Sequence, residues 1–600
     1  MAEPDAADFL RICRLPGAWS RQPAWRLLDT CFGNAARFLG VWEAWQQDSD
    51  RPALLHYVGL SQQALLPELL LGAAHQTPGR RALASALAEQ CQGLGPGFHR
   101  ISLHHGQLLL TLCVGELQPL LRQQRFDADA IFLDPGPAGL VEGAPWNLFG
   151  IKALARLARR ASRLALPANR PAWTDAALKQ CGFVLDPGLE LAAAGLAGAE
   201  FQPAWHFKSS PSTAAAAVPG AGASCAVVGA GLAGASVAAA LARRGWQVQV
   251  LDAAELPACG ASSLPVGLAV PHVSVDDCAL SRLSRSGLRL LLAQAQALLR
   301  PGQDWHASGV LERGFESDGP AADRWHAQAC WVKPAALVQA WLAQPGVQFA
   351  GGFRVASLRR QAHHWDLLGD RGQLLASAHR VVLANAHALP ALLQACRSAE
   401  PGLDIAEPPR ALTAVHGQLS WAVHSAQAGP GLDPFPPFPV NGAGSLLPWV
   451  PLAGSQAWYA GATYSAAQDP QPTEQQGHQA NLARLTALLP ELGRQLAPLF
   501  ATQQVQAWRN TRCVSADRLP LLGPLSTGPD LGLWVCTAMG SRGLMFSVLC
   551  AELLAAMWGG EPLPVEARLA SQLEALRGRQ RPAQPAGAGA LGVAGRPIPR

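Results

Sequence analysis

The sequence predicts an α/β protein in two parts, and three observations predict it. Strand-like and helix-like segments alternate through two blocks, roughly residues 20–205 and 224–570. Between them runs SSPSTAAAAVPGAGA (Ser209–Ala223), whose small, Pro/Gly-rich composition reads as a linker. A glycine-rich turn at Gly229 joins a strand pattern to a helix pattern at the head of the second block. Strands alternating with helices imply sheets covered by helices, and 600 residues suffice for two or three domains. We therefore expect units at 1–205 and 224–570, a linker at 206–223, and a disordered basic tail at 571–600. In that tail Arg577, Arg579, Arg581, Arg596 and Arg600 stand among Pro, Gly and Ala.

Composition excludes several classes. With 49% hydrophobic and 15% charged residues the chain has the makings of a core and is not a disordered protein. A formal charge of +5 permits a nucleic-acid partner without requiring one. Thirteen scattered cysteines include no CxxC pair, so neither a zinc ribbon nor a disulfide framework is expected, and a reducing cytoplasm fits. The start, MAEPDAADFL, lacks the basic and apolar regions of a signal peptide. The most apolar stretch, Ala214–Ala242, is too rich in glycine to favour a bilayer and reads as a buried strand–turn–helix. No metal, no membrane and a monomeric state are expected.

In the first block WRLLD (Trp25–Asp29) reads as a buried strand, followed by an amphipathic helix near Ala35–Trp45. LLHYVGL (Leu54–Leu60), AIFLD (Ala130–Asp134) and SRLALPA (Ser162–Ala168) read as further strands. His99–Gly115 reads as a hairpin turning at His105 and Gly106. Arg156, Arg159, Arg160 and Arg163 fall on a helix-like run, as a candidate RNA contact or, more plainly, a solvated face.

The second block opens with CAVVGAGLAGASVAAALARRGWQVQVLDA (Cys225–Ala253). A strand, Ala226–Val228, leads into Gly229, Gly231 and Gly234, then a helix from about Ala235 to Arg243, then a strand, Gln247–Leu251, ending at Asp252. The first glycine permits the tight turn, the second lets a pyrophosphate approach the backbone, and the third lets helix and strand pack closely. The helix N-terminus offers free N–H groups to phosphate. Asp252, 23 residues after Gly229, is placed to accept from ribose hydroxyls. This predicts a dinucleotide site and leaves NAD and FAD open. Two features favour FAD. Small residues at Gly260, Ala261, Ser262 and Gly267 let a loop cross a cofactor. Later, the strand Leu533–Val535 leads to Gly540, Ser541, Arg542, Gly543 and Leu544 and an apolar helix from about Val548 to Met557, a second turn that offers backbone N–H groups.

The chain resembles the family of bifunctional tRNA 5-methylaminomethyl-2-thiouridine biosynthesis proteins. The resemblance rests on GAS (Gly260–Ser262), WVKPAALV (Trp331–Val338), VVLANAH (Val381–His387), HGQLS (His416–Ser420), GATY (Gly461–Tyr464), RCVSADRLPLLG (Arg512–Gly523) and MGSRGLMFSVLCAELLAA (Met539–Ala556). It implies a doubly wound FAD domain with an interleaved α+β substrate domain, in the D-amino-acid-oxidase-like group, preceded by a Rossmann-like methyltransferase-type domain. It further implies a tRNA substrate and FAD-dependent oxidation of the C–N bond of a carboxymethylaminomethyl group on a wobble uridine. Ala261, Ser262, Asn385 and Gly540–Leu544 would border FAD, and Arg512 and Arg542 would anchor the substrate carboxylate or a tRNA phosphate, since Arg pairs bidentately with either. Asp517 would orient Arg512 or serve as a turn acid. A free amino-acid or sarcosine-type oxidase with an inert N-terminal domain is the alternative.

For the first block the resemblance implies S-adenosylmethionine (SAM) at the segment Asp29-Thr30-Cys31-Phe32-Gly33-Asn34-Ala35-Ala36-Arg37-Phe38-Leu39, with methylation of the amine made by the second block. The chain departs from that pattern. Cys31 and Ala35 replace glycines, leaving Gly33, and a Cβ there is expected to crowd the ligand or forbid positive φ. Ser61 stands where the family has the acid that holds the SAM ribose, and Ser cannot accept from two hydroxyls as a carboxylate does. Asp134, Pro137 and Trp146 are kept. Asp134 would hold the substrate amine, or simply cap a strand end. We expect no productive SAM binding.

Overall fold

The computed structural model describes residues 6–578 except 66, 72–77, 92, 137–138, 141–145, 192–193, 206–222, 315–322, 409–410, 425–433, 467–469 and 529. The linker, but for Ala223, lies outside the described residues, as do Pro137 and residues 579–600.

The first block builds one eight-stranded sheet from β1 (Ala24–Asp29), β2 (Leu54–Ser61), β3 (Gly97–Leu103), β4 (Leu108–Val114), β5 (Ala128–Phe132), β6 (Ala158–Pro167), β7 (Phe183–Leu191) and β8 (Leu196–Phe201). Its order is β3-β4-β2-β1-β5-β6-β8-β7. The central strands β4, β2, β1, β5 and β6 run parallel. Their near-continuous apolar character follows from having both faces covered. β1 lies between β2 and β5, so the winding reverses there, and the carboxyl ends of β1 and β5 border a crevice. The expected hairpin is β3–β4, with His104–Gly106 at its turn.

The arginine reading is corrected. Arg159, Arg160 and Arg163 stand on strand β6, not on a helix, and Arg156 follows the end of the helix Leu148–Ala155. Parallel pairing of β6 with β5 buries Leu164, Ala165 and Leu166, and that tertiary gain overrides the local helical pattern. Arg159 pairs with Asp129 at 2.7 Å, and Arg163 with Asp186 and Glu200 at 3.1 and 2.8 Å. These groups hold the sheet together rather than form a free basic face.

The second block has a six-stranded sheet in the order Val347–Ala350, β10 (Gln247–Leu251), β9 (Ser224–Val228), Arg380–Leu383, Leu533–Thr537, Leu521–Pro524, parallel except for the last pair. The expected helices are longer at their N-terminal ends, at Leu232–Ala242 and Gly543–Gly559. Both are apolar all round and buried, packing on each other and on the amphipathic helix Ala279–Leu298. A Cβ at Gly287 would stand 2.6 Å from the carbonyl oxygen of Met545, so glycine sets that approach. Residues Gly540–Gly559 are long and apolar enough to cross a membrane by length and composition, but here they are a core helix. Over this layer sits a second, largely antiparallel sheet whose long strands Leu412–Val423 and Gln506–Ser515 pair along ten residues.

The tail reading is corrected for residues 571–578. Leu573 and Ala575 are buried, the N–H of Leu522 donates to the carbonyl of Leu573 and that of Ala575 to the carbonyl of Leu522, and Arg577 binds Asp517 through Nη2 and Nε at 2.7 and 2.9 Å. Two apolar side chains and one paired arginine suffice to dock a segment whose composition alone suggests disorder.

The halves meet through charge. Arg26 donates to the carbonyl of Gly559 at 2.8 Å, Arg100 donates to that of Pro562, and His56 lies 3.5 Å from Glu561.

Candidate active site

The cradle at Gly229 is built as the glycine pattern requires. Gly229 has φ +110°, and a Cβ there would lie 2.7 Å from the carbonyl oxygen of Ala384. A Cβ on Gly234 would lie 1.8 Å from the carbonyl oxygen of Gly229, so only glycine lets the helix Leu232–Ala242 start against β9. At Gly231 the nearest atom to an added Cβ is the Ser262 hydroxyl, at 3.1 Å. Asp252 follows β10. Its Oδ2 accepts from the N–H of Ala230 at 2.6 Å and its Oδ1 from that of Ala254 at 2.9 Å. Each oxygen keeps a lone pair for another donor.

The loop after β10 closes over this turn. Ala261 and Ser262 lie in the short helical turn Ala261–Ser263, and Ser262 Oγ accepts from the N–H of Leu232 at 2.9 Å. Asn510 Nδ2 donates to the carbonyl of Gly260 at 3.0 Å, and Trp508 Nε1 donates to Ser263 Oγ at 3.0 Å. The substrate-side strand Gln506–Ser515 thus holds the loop. Asn385, two residues past the end of the strand Arg380–Leu383, has a buried Oδ1 with no protein partner. An orphaned buried acceptor beside a glycine turn that no Cβ could enter fits a polar dinucleotide such as FAD. Gly229, Gly231, Gly234, Asp252, Ser262 and Asn385 therefore converge on one turn.

The second glycine turn is Gly540–Arg542, with Gly540 at φ +59°, running straight into the helix Gly543–Gly559. Ser541 is exposed, and Leu544 is buried where a Cβ on Gly267 would meet its Cδ1 at 2.7 Å. That contact ties the turn to the loop beyond Ser262.

Arg512 and Arg542 share one neighbour, which sequence reasoning quoted but gave no role. The guanidinium of Arg512 lies 4.7 Å from the Tyr464 ring centroid, in cation–π range. Its Nη1 is buried without a partner and passes 2.2 Å from where a Cβ on Gly417 would stand. Burial pushes the Arg542 guanidinium down from its usual range, with Tyr464, Arg518, Cys278 and Glu312 acting on it. A guanidinium with a buried, unpartnered Nη1 can receive an anion. Asp517 holds Arg577, and although burial pushes its carboxyl up, Arg577 and Ser515 keep it well below the usual range.

His272 was missed altogether. It sits beyond the strand Gly267–Ala269, its Nδ1 is 2.8 Å from Ser281 Oγ, and burial and the Arg542 charge lower its pKa. A lone histidine in a loop carries no spacing signal that would reveal it. Among the described residues no group of three or more His, Cys, Asp or Glu is placed to hold a metal.

The first block's crevice is different. Asp29 ends β1, Gly33 has φ +55°, and Asp134 follows β5. Ala35 takes φ +68° despite its Cβ, so the expectation that alanine forbids positive φ there is wrong. The cost of about 1–2 kcal/mol is met by the helix that Ala35 starts. Ser61 Oγ donates to the carbonyl of Gln63 at 2.7 Å, which commits its only proton. Arg37, quoted in the sequence segment without a role, pairs with both Asp29 and Asp134. The residues here do not fit SAM, because Arg37 already pairs with the two carboxylates that a cationic ligand would need.

Comparison with known proteins agrees with the cradle. The family model described as FAD dependent oxidoreductase (DAO) matches residues 224–330 and 312–557. A tRNA 5-methylaminomethyl-2-thiouridine biosynthesis bifunctional protein MnmC of Albidiferax ferrireducens is 50% identical over 96% of this chain and 97% of its own. A protein of the same name from Polaromonas sp. (strain JS666 / ATCC BAA-500) is 44% identical over 94% of this chain and 92% of its own. A solved glycine oxidase from Geobacillus kaustophilus matches at 19% identity with a TM-score of 0.47, covering 59% of this chain and 99% of that one. With a dinucleotide cradle at Gly229 and full-length relatives at this identity, the chain belongs to the FAD dependent oxidoreductase family and, across both halves, to that of the bifunctional MnmC proteins of tRNA 5-methylaminomethyl-2-thiouridine biosynthesis.

Proposed function

We propose that the second block removes the carboxymethyl group from 5-carboxymethylaminomethyl-(2-thio)uridine at the tRNA wobble position, leaving the 5-aminomethyl base. The observation that carries this is Arg512, whose Nη1 is buried without a partner and whose guanidinium lies 4.7 Å from the Tyr464 ring centroid, on the strand whose Trp508 and Asn510 hold the Gly260–Ser263 loop. FAD, when bound, supplies the two-electron oxidation of the C–N bond. Water then splits the substrate imine into the aminomethyl base and glyoxylate.

The chain's residues would act as follows. Gly229, Gly231, Gly234 and the N–H groups of helix Leu232–Ala242 would hold the diphosphate, and Asp252 the ribose. Asn385 would meet the adenosine end, and Ala261, Ser262 and Gly540–Leu544 would border the cofactor. Arg512 and Arg542 would grip the substrate carboxylate, the group that distinguishes this substrate from its product. His272, which burial and the Arg542 charge hold towards its neutral form, would add little positive charge beside the bound substrate. The reading has a monomer acting on tRNA in the cytoplasm.

The test is mass spectrometry of tRNA nucleosides from cells lacking the protein, with the purified protein's flavin absorbance measured alongside. Accumulated carboxymethylaminomethyl uridine is expected, with its loss on adding the flavin-bearing enzyme. Unchanged nucleosides, or oxidation of free glycine and sarcosine as efficient as that of tRNA, would refute the reading and favour a free amino-acid oxidase.

A further inference from the structure

The crevice between the ends of β1 and β5 holds a cation of the protein's own. Arg37, in the first turn of the helix Ala36–Gln47, places Nε 3.2 Å from Asp29 Oδ2, Nη2 3.3 Å from Asp29 Oδ1 and Nη1 2.7 Å from Asp134 Oδ2. Nη2 also donates to the carbonyl of Cys31, and the guanidinium lies 5.2 Å from the Phe9 ring centroid. The side chain is only 14% exposed.

The partners are held as firmly. Asp29 is fully buried and accepts from the Tyr57 hydroxyl at 2.6 Å and from the N–H of Cys31 at 3.0 Å. Asp134 accepts from the N–H of Gly136 at 2.8 Å, while Thr30 Oγ1 donates to the Asp134 carbonyl at 2.9 Å. Two carboxylates converging in a crevice need positive charge, because a buried charge without a partner is strongly disfavoured. In a SAM enzyme the ligand's ammonium and sulfonium can supply it. Here the guanidinium does, and a second cation entering beside it would meet like charge at low dielectric. The Cys31 side chain narrows the same space, since a Cβ on Gly136 would lie 3.2 Å from its Sγ.

We infer that Arg37 closes the N-terminal crevice to S-adenosylmethionine and takes the acceptor that would hold the substrate amine, so that this chain does not transfer a methyl group. The departures at Cys31, Ala35 and Ser61 weaken the site; Arg37 fills it. Oxidation would then deliver an aminomethyl uridine whose methylation, where it occurs, belongs to a separate SAM-dependent enzyme.

The test is isothermal titration of the full-length, FAD-bearing protein with SAM and with S-adenosylhomocysteine, which lacks the sulfonium charge. Wild-type protein is expected to give no saturable heat with either. Arg37→Asn leaves the two carboxylates unpaired and is expected to bind SAM, at least about tenfold more tightly than S-adenosylhomocysteine. Arg37→Lys keeps the charge and is expected to stay closed, and its melting curve shows whether the crevice folds without the bidentate fork. Micromolar binding of SAM by the wild type overturns the inference outright, whatever the variants do. Absence of binding in a folded Arg37→Asn protein also overturns it, since Arg37 would then not be the block. A protein without flavin absorbance would refute the oxidase reading and leave this inference standing.

Discussion

Gly234→Ala and Gly231→Ala differ by one methyl each, yet the structure separates their effects. The Cβ added at Gly234 would sit 1.8 Å from the carbonyl oxygen of Gly229 and 3.0 Å from its carbonyl carbon. Both are backbone atoms of the turn, so relief requires the helix Leu232–Ala242 to move away from β9. Overpacking of this kind costs about 1–3 kcal/mol, and a contact this short against backbone belongs at the upper end. For a domain of this size about 3 kcal/mol lowers the melting temperature by roughly 6–12 °C. The Cβ added at Gly231 would instead meet only the Ser262 side chain, its hydroxyl at 3.1 Å, and a side chain can turn. The Gly231→Ala apoprotein is expected to melt within about 2 °C of wild type, a change under ~0.5 kcal/mol. Its flavin affinity is expected to fall at least about tenfold, because Gly231 is where the diphosphate would approach. The assay is circular-dichroism melting of flavin-stripped proteins beside FAD titration by absorbance. Stripping matters, because bound FAD adds its own stabilisation. A Gly234→Ala protein with wild-type melting and full flavin content would refute the strand–turn–helix geometry, and equal effects of the two substitutions would refute the division of labour between the glycines.

Arg512→Met is expected to raise KM for tRNA carrying the carboxymethylaminomethyl group by about 10²-fold, the loss of a charge-assisted pair worth about 3 kcal/mol, and steady-state kinetics check it. Asp252→Asn is expected to weaken FAD at least about tenfold by removing a charged acceptor, read by flavin fluorescence on titration. Truncation after residue 578 is expected to leave the melting temperature unchanged, whereas truncation after 570 removes buried Leu573 and Ala575 and the Arg577–Asp517 pair and costs about 2–5 kcal/mol. Acid stability follows from the seam between the halves. Burial pushes His56 from 6.5 down to about 4, against the pull of Glu561. The unfolded chain therefore binds the proton first. The neutral-form stability is fully present above pH 6.5 and is lost as pH falls towards 4, at about 1.4 kcal/mol per unit and about 3 kcal/mol in all. Glu552 adds loss in the same direction below its ordinary 4.5, since burial pushes it up but Arg244 and Arg243 hold it at about 2. His56→Gln is expected to flatten melting temperature against pH between 6.5 and 4.5; an unchanged slope would refute the assignment to His56.

The cradle was legible because each of its parts has a local cause. Gly229, Gly231, Gly234 and Asp252 lie within one βαβ unit, so their spacing alone places them together. Arg512 and Arg542 could be named only through the resemblance, since strand Gln506–Ser515 and turn Gly540–Arg542 meet by tertiary packing. Tyr464 joins them from a third segment, and nothing local to GATY predicts that. Arg37 escaped notice because a cation in the first turn of a helix reads as solvated; its two carboxylates lie eight and ninety-seven residues away. Arg159 and Arg163 misled for the opposite reason. Their spacing is helical, but the sheet decides, through partners at Asp129, Asp186 and Glu200.

A first block that transfers no methyl group, as inferred from Arg37, would still have work in the oxidase. The core helix Gly543–Gly559 spans about 25 Å. It begins beside Arg542 at the cofactor turn and ends at the seam. Its last carbonyls have no partner within the helix, and the negative end of its dipole favours cations. The first block supplies them. Arg26 donates to Gly559 and Arg100 to Pro562 just beyond. Behind these, Glu552 and Glu561 are buried and bound by Arg243 and Arg244 at the end of the helix Leu232–Ala242, the one that starts at the glycine cradle. The helices that run from the two glycine turns therefore end in one buried charge network, which Arg100 and His56 complete from the other half. A seam of buried ion pairs adds little adhesion for its size, because desolvation offsets the attraction. Its effect is positional: charges that can be satisfied in only one arrangement fix where the far ends of both cofactor helices sit. Loss of methyl transfer would leave that constraint intact, so the block could lose its cofactor chemistry and still be required by its neighbour.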